Sequence, residues 1–253
     1  MKKTLLATIT IGLAAAGLQA QVLINTQTNI APDLGTTGSD SVGFTVNAGS
    51  NRGLVVAIGI EGGNPATFSG ATWTVGANPV QNFSMATITE TFTGTAVFYL
   101  PDPIVGTGTI TVNSSGSFGG TSGGTVYSLT NVDTFSPQTA AGDIAETASL
   151  DFGTLPAGSL IVASATNDDA TPSFSLQPGS TSTSFNTEQL AATSTNNYIT
   201  TAEGVDGDAI LDGTFNGRYA FAGVAVTAIP EPSTALLLSL GLGSMLMLRR
   251  RRA

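Results

Sequence analysis

Residues 41–47, SVGFTVN, set Val42, Phe44 and Val46 on one side of an extended chain and small or polar residues on the other. This two-residue period recurs along the chain, in short runs closed by Gly, Pro, Asn or Asp, and it constrains the fold more than any other feature. GLVVAIGIE (53–61) is apolar throughout, as expected for a strand covered on both faces. ATWTVGANPVQNF (71–83) reads as strand, turn around Gly76 to Pro79, then strand. GTAVFYLP (94–101) stops at Pro101 and Pro103, which have no N–H to give to a ladder. GTITVNSS, GTVYSLTNV, GSLIVASAT and RYAFAGVAVTA follow in the same manner. The abundant threonines support strands, because a β-branched side chain fits a pleated, half-exposed surface.

No long segment of the body carries a 3.6-residue apolar period; TEQLAATS (187–194) is the one fair helix candidate. About a dozen short strands separated by turns predict an all-β fold, a β-sandwich of jelly-roll-like type. A single domain over 21–228 is expected, and two halves meeting near Pro137 to Ile144 are the alternative. SSGSFGGTSGG (114–124) lies between strong strand signals and is expected to be a flexible hairpin loop.

The ends differ from this body. MKKTLLATITIGLAAAGLQA, residues 1–20, has two lysines, an apolar stretch and small residues, the pattern of a secretory signal peptide cut after Ala20, with Ala16 as the alternative. It predicts an N-terminal signal helix and export. At the other end, Ser233 to Leu248 is 16 residues without a charge, followed by Arg249, Arg250, Arg251 and Arg252. As a helix this run reaches ~24 Å, short of a ~30 Å hydrocarbon core, though long arginine stems and bilayer thinning can absorb the deficit. A single transmembrane helix within 229–253 is therefore expected, with its arginines on the cytoplasmic side and the body outside.

All 17 acidic side chains but Glu231 lie between Gln21 and Ile229, and of the 8 basic ones only Arg52 and Arg218 do, which leaves that stretch at −14. A surface so acidic repels nucleic acid, whose binding needs cations against phosphate. The chain has no His and no Cys, and the body no Lys. Histidine-based triads, Cys/His zinc sites, Ser-Lys dyads and Schiff bases are thereby excluded. Carboxylates alone could still serve a glycoside hydrolase, which needs two at a suitable separation.

Two acidic groups are candidate calcium ligands: Asp168 and Asp169 after a strand, and Asp206, Asp208 and Asp212 in EGVDGDAILDG. The second string misses the EF-hand pattern at Ile210 and Leu211, and solvated turn residues are the plainer reading. No other cofactor is expected. Trp73 and Tyr99 are candidates for a glycan-stacking platform. Their alternation with Val75 and Val97 fits core positions better.

Pro230-Glu231-Pro232-Ser233, the short apolar run and the arginine cluster, together with the leader, resemble the PEP-CTERM protein-sorting tail. That resemblance implies handling by an exosortase, a membrane-embedded cysteine transpeptidase-like enzyme, after passage through the export translocon. The enzyme would cut near Pro230 to Pro232, so that the membrane holds the chain only transiently. The prolines themselves favour such a cut: each biases the residue before it, Ile229 and Glu231, to extended backbone, leaving an accessible strip. Organisms encoding the family are typically Gram-negative and make extracellular polysaccharide, and its passengers are mostly surface, matrix or biofilm proteins.

The segments SNRGLVVAIGIEG, AVFYLPDPIVGTGTITVNSSG, TVYSLTNVD and YAFAGVAV resemble exported bacterial β-sandwich modules of jelly-roll type. The resulting expectation is an exported, non-enzymatic surface or matrix protein. A carbohydrate-binding module of the same fold is the alternative, and extracellular polysaccharide is a candidate partner.

Overall fold

The computed structural model describes residues 20–30, 38–61, 67–89, 93–115, 122–142, 146–167, 171–190 and 197–229. The first half of the body forms β1 (Leu23–Ile30), β2 (Ser39–Val46), β3 (Gly53–Glu61), β4 (Phe68–Thr74), β5 (Gln81–Asn82), β6 (Ser84–Thr89), β7 (Thr93–Pro101), β8 (Gly106–Ser114) and β9 (Ser122–Thr130). The second half forms β10 (Val132–Gly142), β11 (Glu146–Asn167), β12 (Ser173–Leu176), β13 (Ser180–Thr181), β14 (Ser184–Gln189), β15 (Asn197–Phe215) and β16 (Tyr219–Ala228). All pairings between these strands are antiparallel.

Three sheets result: β1-β9-β3-β7-β6, β2-β8-β4-β5, and a seven-stranded sheet ordered β10-β16-β11-β15-β12, with β13 and β14 also on β15. The all-β expectation holds. The five-stranded sheet lies in the middle. Leu54, Val56, Ile58 and Ile60 of β3 pack with Phe44, Trp73, Ile110 and Val112 of the four-stranded sheet. Val55 and Ala57, on the opposite face, pack with Leu160, Val162, Val224 and Val226 of the seven-stranded sheet. The uninterrupted apolar run of β3 is thus explained by cover on both sides.

A third core covers the far side of the seven-stranded sheet. β11 and β15 pair from Glu146–Phe215 to Thr166–Asn197, with register shifts between Asp151 and Leu160. Gly158 adopts φ +87° in that irregular stretch, backbone open to glycine at little cost. The ribbon bends there, and its distal half lays Leu150, Phe152 and Phe215 against Ile161, Ala163, Phe221 and Ala225. Gly223 of β16 leaves room for Leu150 and Phe152 to come down onto the strand.

Two expectations need correction. Thr187–Gln189 of TEQLAATS are strand, since they continue β14 against Thr200, Ile199 and Tyr198. The strands on either side of SSGSFGGTSGG do not form a hairpin, because β8 pairs with β2 and β4 while β9 pairs with β1 and β3; residues 116–121 of that segment lie outside the described residues. Pro137 itself lies within β10, on the sheet edge opposite Val224. Residues 20–229 form one unit.

Candidate functional site

Two ends of the body meet at one residue. Asn131 links β9 to β10 with φ +64°, a left-handed conformation that Asn tolerates better than most side chains. The turn is held by its neighbours: the Val132 N–H donates to the Asn51 carbonyl at 2.8 Å. From this position the Asn131 Nδ2 donates to the Gln21 carbonyl at 3.0 Å, while its own carbonyl accepts the Ile229 N–H at 3.2 Å. Gln21 is the first residue after the expected signal cleavage, and Ile229 the last before Pro230.

Both ends are seated further along. Ala20 and Val22 are buried, and the Val22 N–H donates to the Gly158 carbonyl at 2.9 Å. Ala228 pairs with Val132 and closes β16, which lies between β10 and β11 in the seven-stranded sheet. The chain therefore passes from a buried inner strand to the sorting motif within one residue. No local signal in TNVD announces this role. Asn131 reads as a turn residue, and its partners are 110 and 98 residues away in the chain.

The other candidate residues do not converge. Trp73 is completely buried among Ile110, Phe44 and their neighbours, and its Nε1 donates to the Ile104 carbonyl at 3.0 Å. Tyr99 lies on the far face of the central sheet, packed against the second core and stacked on Phe135 at 5.2 Å. The two cannot form one platform, because a whole sheet stands between their cores and Trp73 offers no face to solvent. The core reading of Trp73 is the right one.

Asp206, Asp208 and Asp212 all lie on β15. Asp206 and Asp208 are exposed, opposite Thr181 and Thr154 respectively. Asp212 accepts from Ser149 Oγ at 2.6 Å and Gln177 Nε2 at 3.0 Å. An extended strand spreads positions 206 to 212 over ~20 Å, too far for a common ion. Among the described residues no three acidic side chains gather in a way that could hold a metal. Asp168 and Asp169 lie outside the described residues.

Ionisable groups within the body serve packing. The Tyr219 phenol donates to Glu146 Oε1 at 2.7 Å and its ring stacks on Phe215 at 4.2 Å. Burial, reinforced by the Glu146 carboxylate, pushes that phenol well above its ordinary range. Arg52 pairs with Asp102 and also donates to the carbonyls of Gly49 (2.6 Å) and Pro103 (3.1 Å).

Comparison with known families decides the meaning of the C-terminal end. Residues 228–252 match the family described as the PEP-CTERM protein-sorting motif. The chain carries a PEP-CTERM sorting signal. The match opens on Ala228, the last residue of β16, so the motif grows directly out of the folded sheet. The motif implies an exported protein that exosortase recognises during sorting, with membrane-anchored transit before processing. No curated protein matches the chain. Pro230, Glu231, Pro232, Ser233 and Arg249 to Arg252 lie outside the described residues, as does the leader up to Gln19. Among the described residues no helix is long and apolar enough to cross a membrane.

Proposed function

We propose that the chain is a non-enzymatic component of the cell surface or extracellular matrix, delivered by exosortase, with a β-sandwich body. The observation that carries this reading is the PEP-CTERM motif emerging at Ala228 from an all-β body. Export through the translocon would use residues 1–20. Exosortase would then remove the tail near Pro230 to Pro232, and the body 21–228 would pass to the envelope or beyond, in contact with extracellular polysaccharide.

The body's topology supports a surface module. β5 and β6 are one strand that changes sheets at Phe83. Counted as one, they leave strand orders β1-β9-β3-β7 and β2-β8-β4, with β5 at the edge. That is the double Greek-key order of a jelly roll. A fold of this type hosts many functions, so the sorting signal, not the topology, carries the assignment.

The test is intact-mass analysis of native protein after cell fractionation. The expected result is extracellular or envelope material that ends between Ile229 and Ser233 and lacks Arg249 to Arg252. Material from outside the cell that still contains Arg252 overturns the reading.

A further inference from the structure

Removal of residues 1–20 makes Gln21 the first residue of the body, and a glutamine in that position carries a reaction of its own. An unprotonated amine is a nucleophile, and the side-chain amide carbon of the same residue is an acyl carbon within its reach. The fold determines how those atoms are held.

Gln21 is pinned on two sides. Its carbonyl accepts Asn131 Nδ2 at 3.0 Å, and the next N–H, that of Val22, donates to the Gly158 carbonyl at 2.9 Å. Ala20 (7% exposed) and Val22 (2%) belong to the second core with Leu160 and Val226. The Ala20 carbonyl and Gln21 Cα both lie against Gly158, whose missing Cβ leaves room for them. This end of the body is therefore seated on the bend of β11, where a chain terminus would otherwise fray. The Gln21 side chain is half-buried, and its amide is tied up by no hydrogen bond among the described residues.

We propose that Gln21 is a modification site, closing to pyroglutamate once the leader has been removed. The inference rests on the export reading, with cleavage after Ala20, which frees the amine. The α-nitrogen lone pair attacks Cδ and forms the N–Cδ bond. The Cδ–Nε2 bond breaks, and Nε2 leaves as ammonia with the proton that the amine gives up. Nothing is oxidised or reduced, and no co-reactant is consumed.

The ring runs through N, Cα, Cβ, Cγ and Cδ, and none of these atoms donates or accepts in the two pinning bonds. Closure thus leaves the contacts with Asn131 and Gly158 in place. It also restores what cleavage removes. While Ala20 is attached, the Gln21 nitrogen is an uncharged amide beside an apolar core. Cleavage turns it into an ammonium, and a charge so placed costs free energy unless it is paired. The lactam makes the nitrogen an uncharged amide again, with Cδ in the role of the Ala20 carbonyl carbon.

The ring also denies an aminopeptidase the free α-amine that it engages. With Ile229 bonded to the same Asn131, both ends of the mature body are then guarded at one turn.

The test uses native protein from the envelope and medium of cells that produce the full chain. Its N-terminal peptide is analysed by mass and by stepwise N-terminal sequencing. The expected peptide begins at Gln21, is lighter by one ammonia than the open form, and resists sequencing. Pyroglutamyl aminopeptidase, applied to the unfolded protein, should make it readable from Val22. Gln21→Ser cannot close the ring and should be readable from its first residue. An isotope-labelled peptide of residues 21–30, added at harvest, reports any closure during work-up.

An open Gln21, or a ring no more abundant than in the added peptide, overturns the inference and leaves the export reading intact. A mature chain that begins elsewhere, as at Gly17, overturns it equally. Chains that keep Met1 and stay in the cytoplasm refute the export reading and this inference with it.

Discussion

Asn197 joins two sheets across a buried interface, and its removal should be felt throughout the body. Its Nδ2 donates to the Gly59 carbonyl of β3 at 3.0 Å, and its Oδ1 accepts from Thr166 Oγ1 at 3.1 Å. The same hydroxyl lies 3.2 Å from the Gly94 carbonyl of β7. Asn197 and Thr166 are fully buried, so these bonds are made away from bulk solvent. In Asn197→Ala, losing the bonds and stranding a polar partner costs about 1–3 kcal/mol. The space left behind adds about 1 kcal/mol.

A total near 3 kcal/mol lowers Tm by about 6–12 °C for a domain of this size. Thr166→Val keeps the shape and removes only the hydroxyl, at about 1–2 kcal/mol. Because the two variants share one bond, the double variant should fall short of their sum by at least about 0.5 kcal/mol. The assay is urea unfolding of residues 20–229, followed by circular dichroism and by the single tryptophan, Trp73, which reports from the other core. Additive losses, or Asn197→Ala within about 0.5 kcal/mol of the parent, would refute the interface argument. Coincident curves from both probes would further indicate that the cores unfold together.

Two other predictions follow from the same structure. Gly158→Ala combines a positive φ with a Cβ directed at the Ala20 carbonyl, so it should destabilise by at least about 2 kcal/mol. It should also speed amide exchange at Val22; unchanged exchange there would mean that the N-terminal segment does not depend on this bend. Burial pushes the Tyr127 phenol above its ordinary value, with the Thr125 hydrogen bond acting against the shift and Glu188 and Glu203 adding to it. A raised folded-state value contributes stability that is whole below about pH 10 and is lost as pH climbs toward the folded value. The urea midpoint should therefore fall above about pH 10, and fall less in Tyr127→Phe. An identical alkaline slope in that variant would exclude Tyr127 as the source.

Local pattern made some of this fold legible. Alternation identified β2 with Val42, Phe44 and Val46 directed inward, and the turn after Trp73 returns as expected, with Trp73 opposite Gln81. The opposite case is Thr187–Gln189, where a short helical reading yields to pairing with Tyr198–Thr200. Cross-strand partners override a weak local preference. Asp206, Asp208 and Asp212 lie apart for a related reason. Closeness along the chain brings ligands together in a loop, whereas β15 draws Asp206, Asp208 and Asp212 out along a line.

The covalent chain by itself determined the all-β class, the acidic body without histidine or lysine, and the address at the C-terminus. Each depends on residue type, or on order over a few positions. Only the tertiary structure decided that there are three sheets, that Trp73 is core, and that Gln21 and Ile229 share Asn131. These facts depend on which distant strands pair and which faces they bury. Many registers satisfy a period of two, and only the packing of whole sheets against one another selects among them.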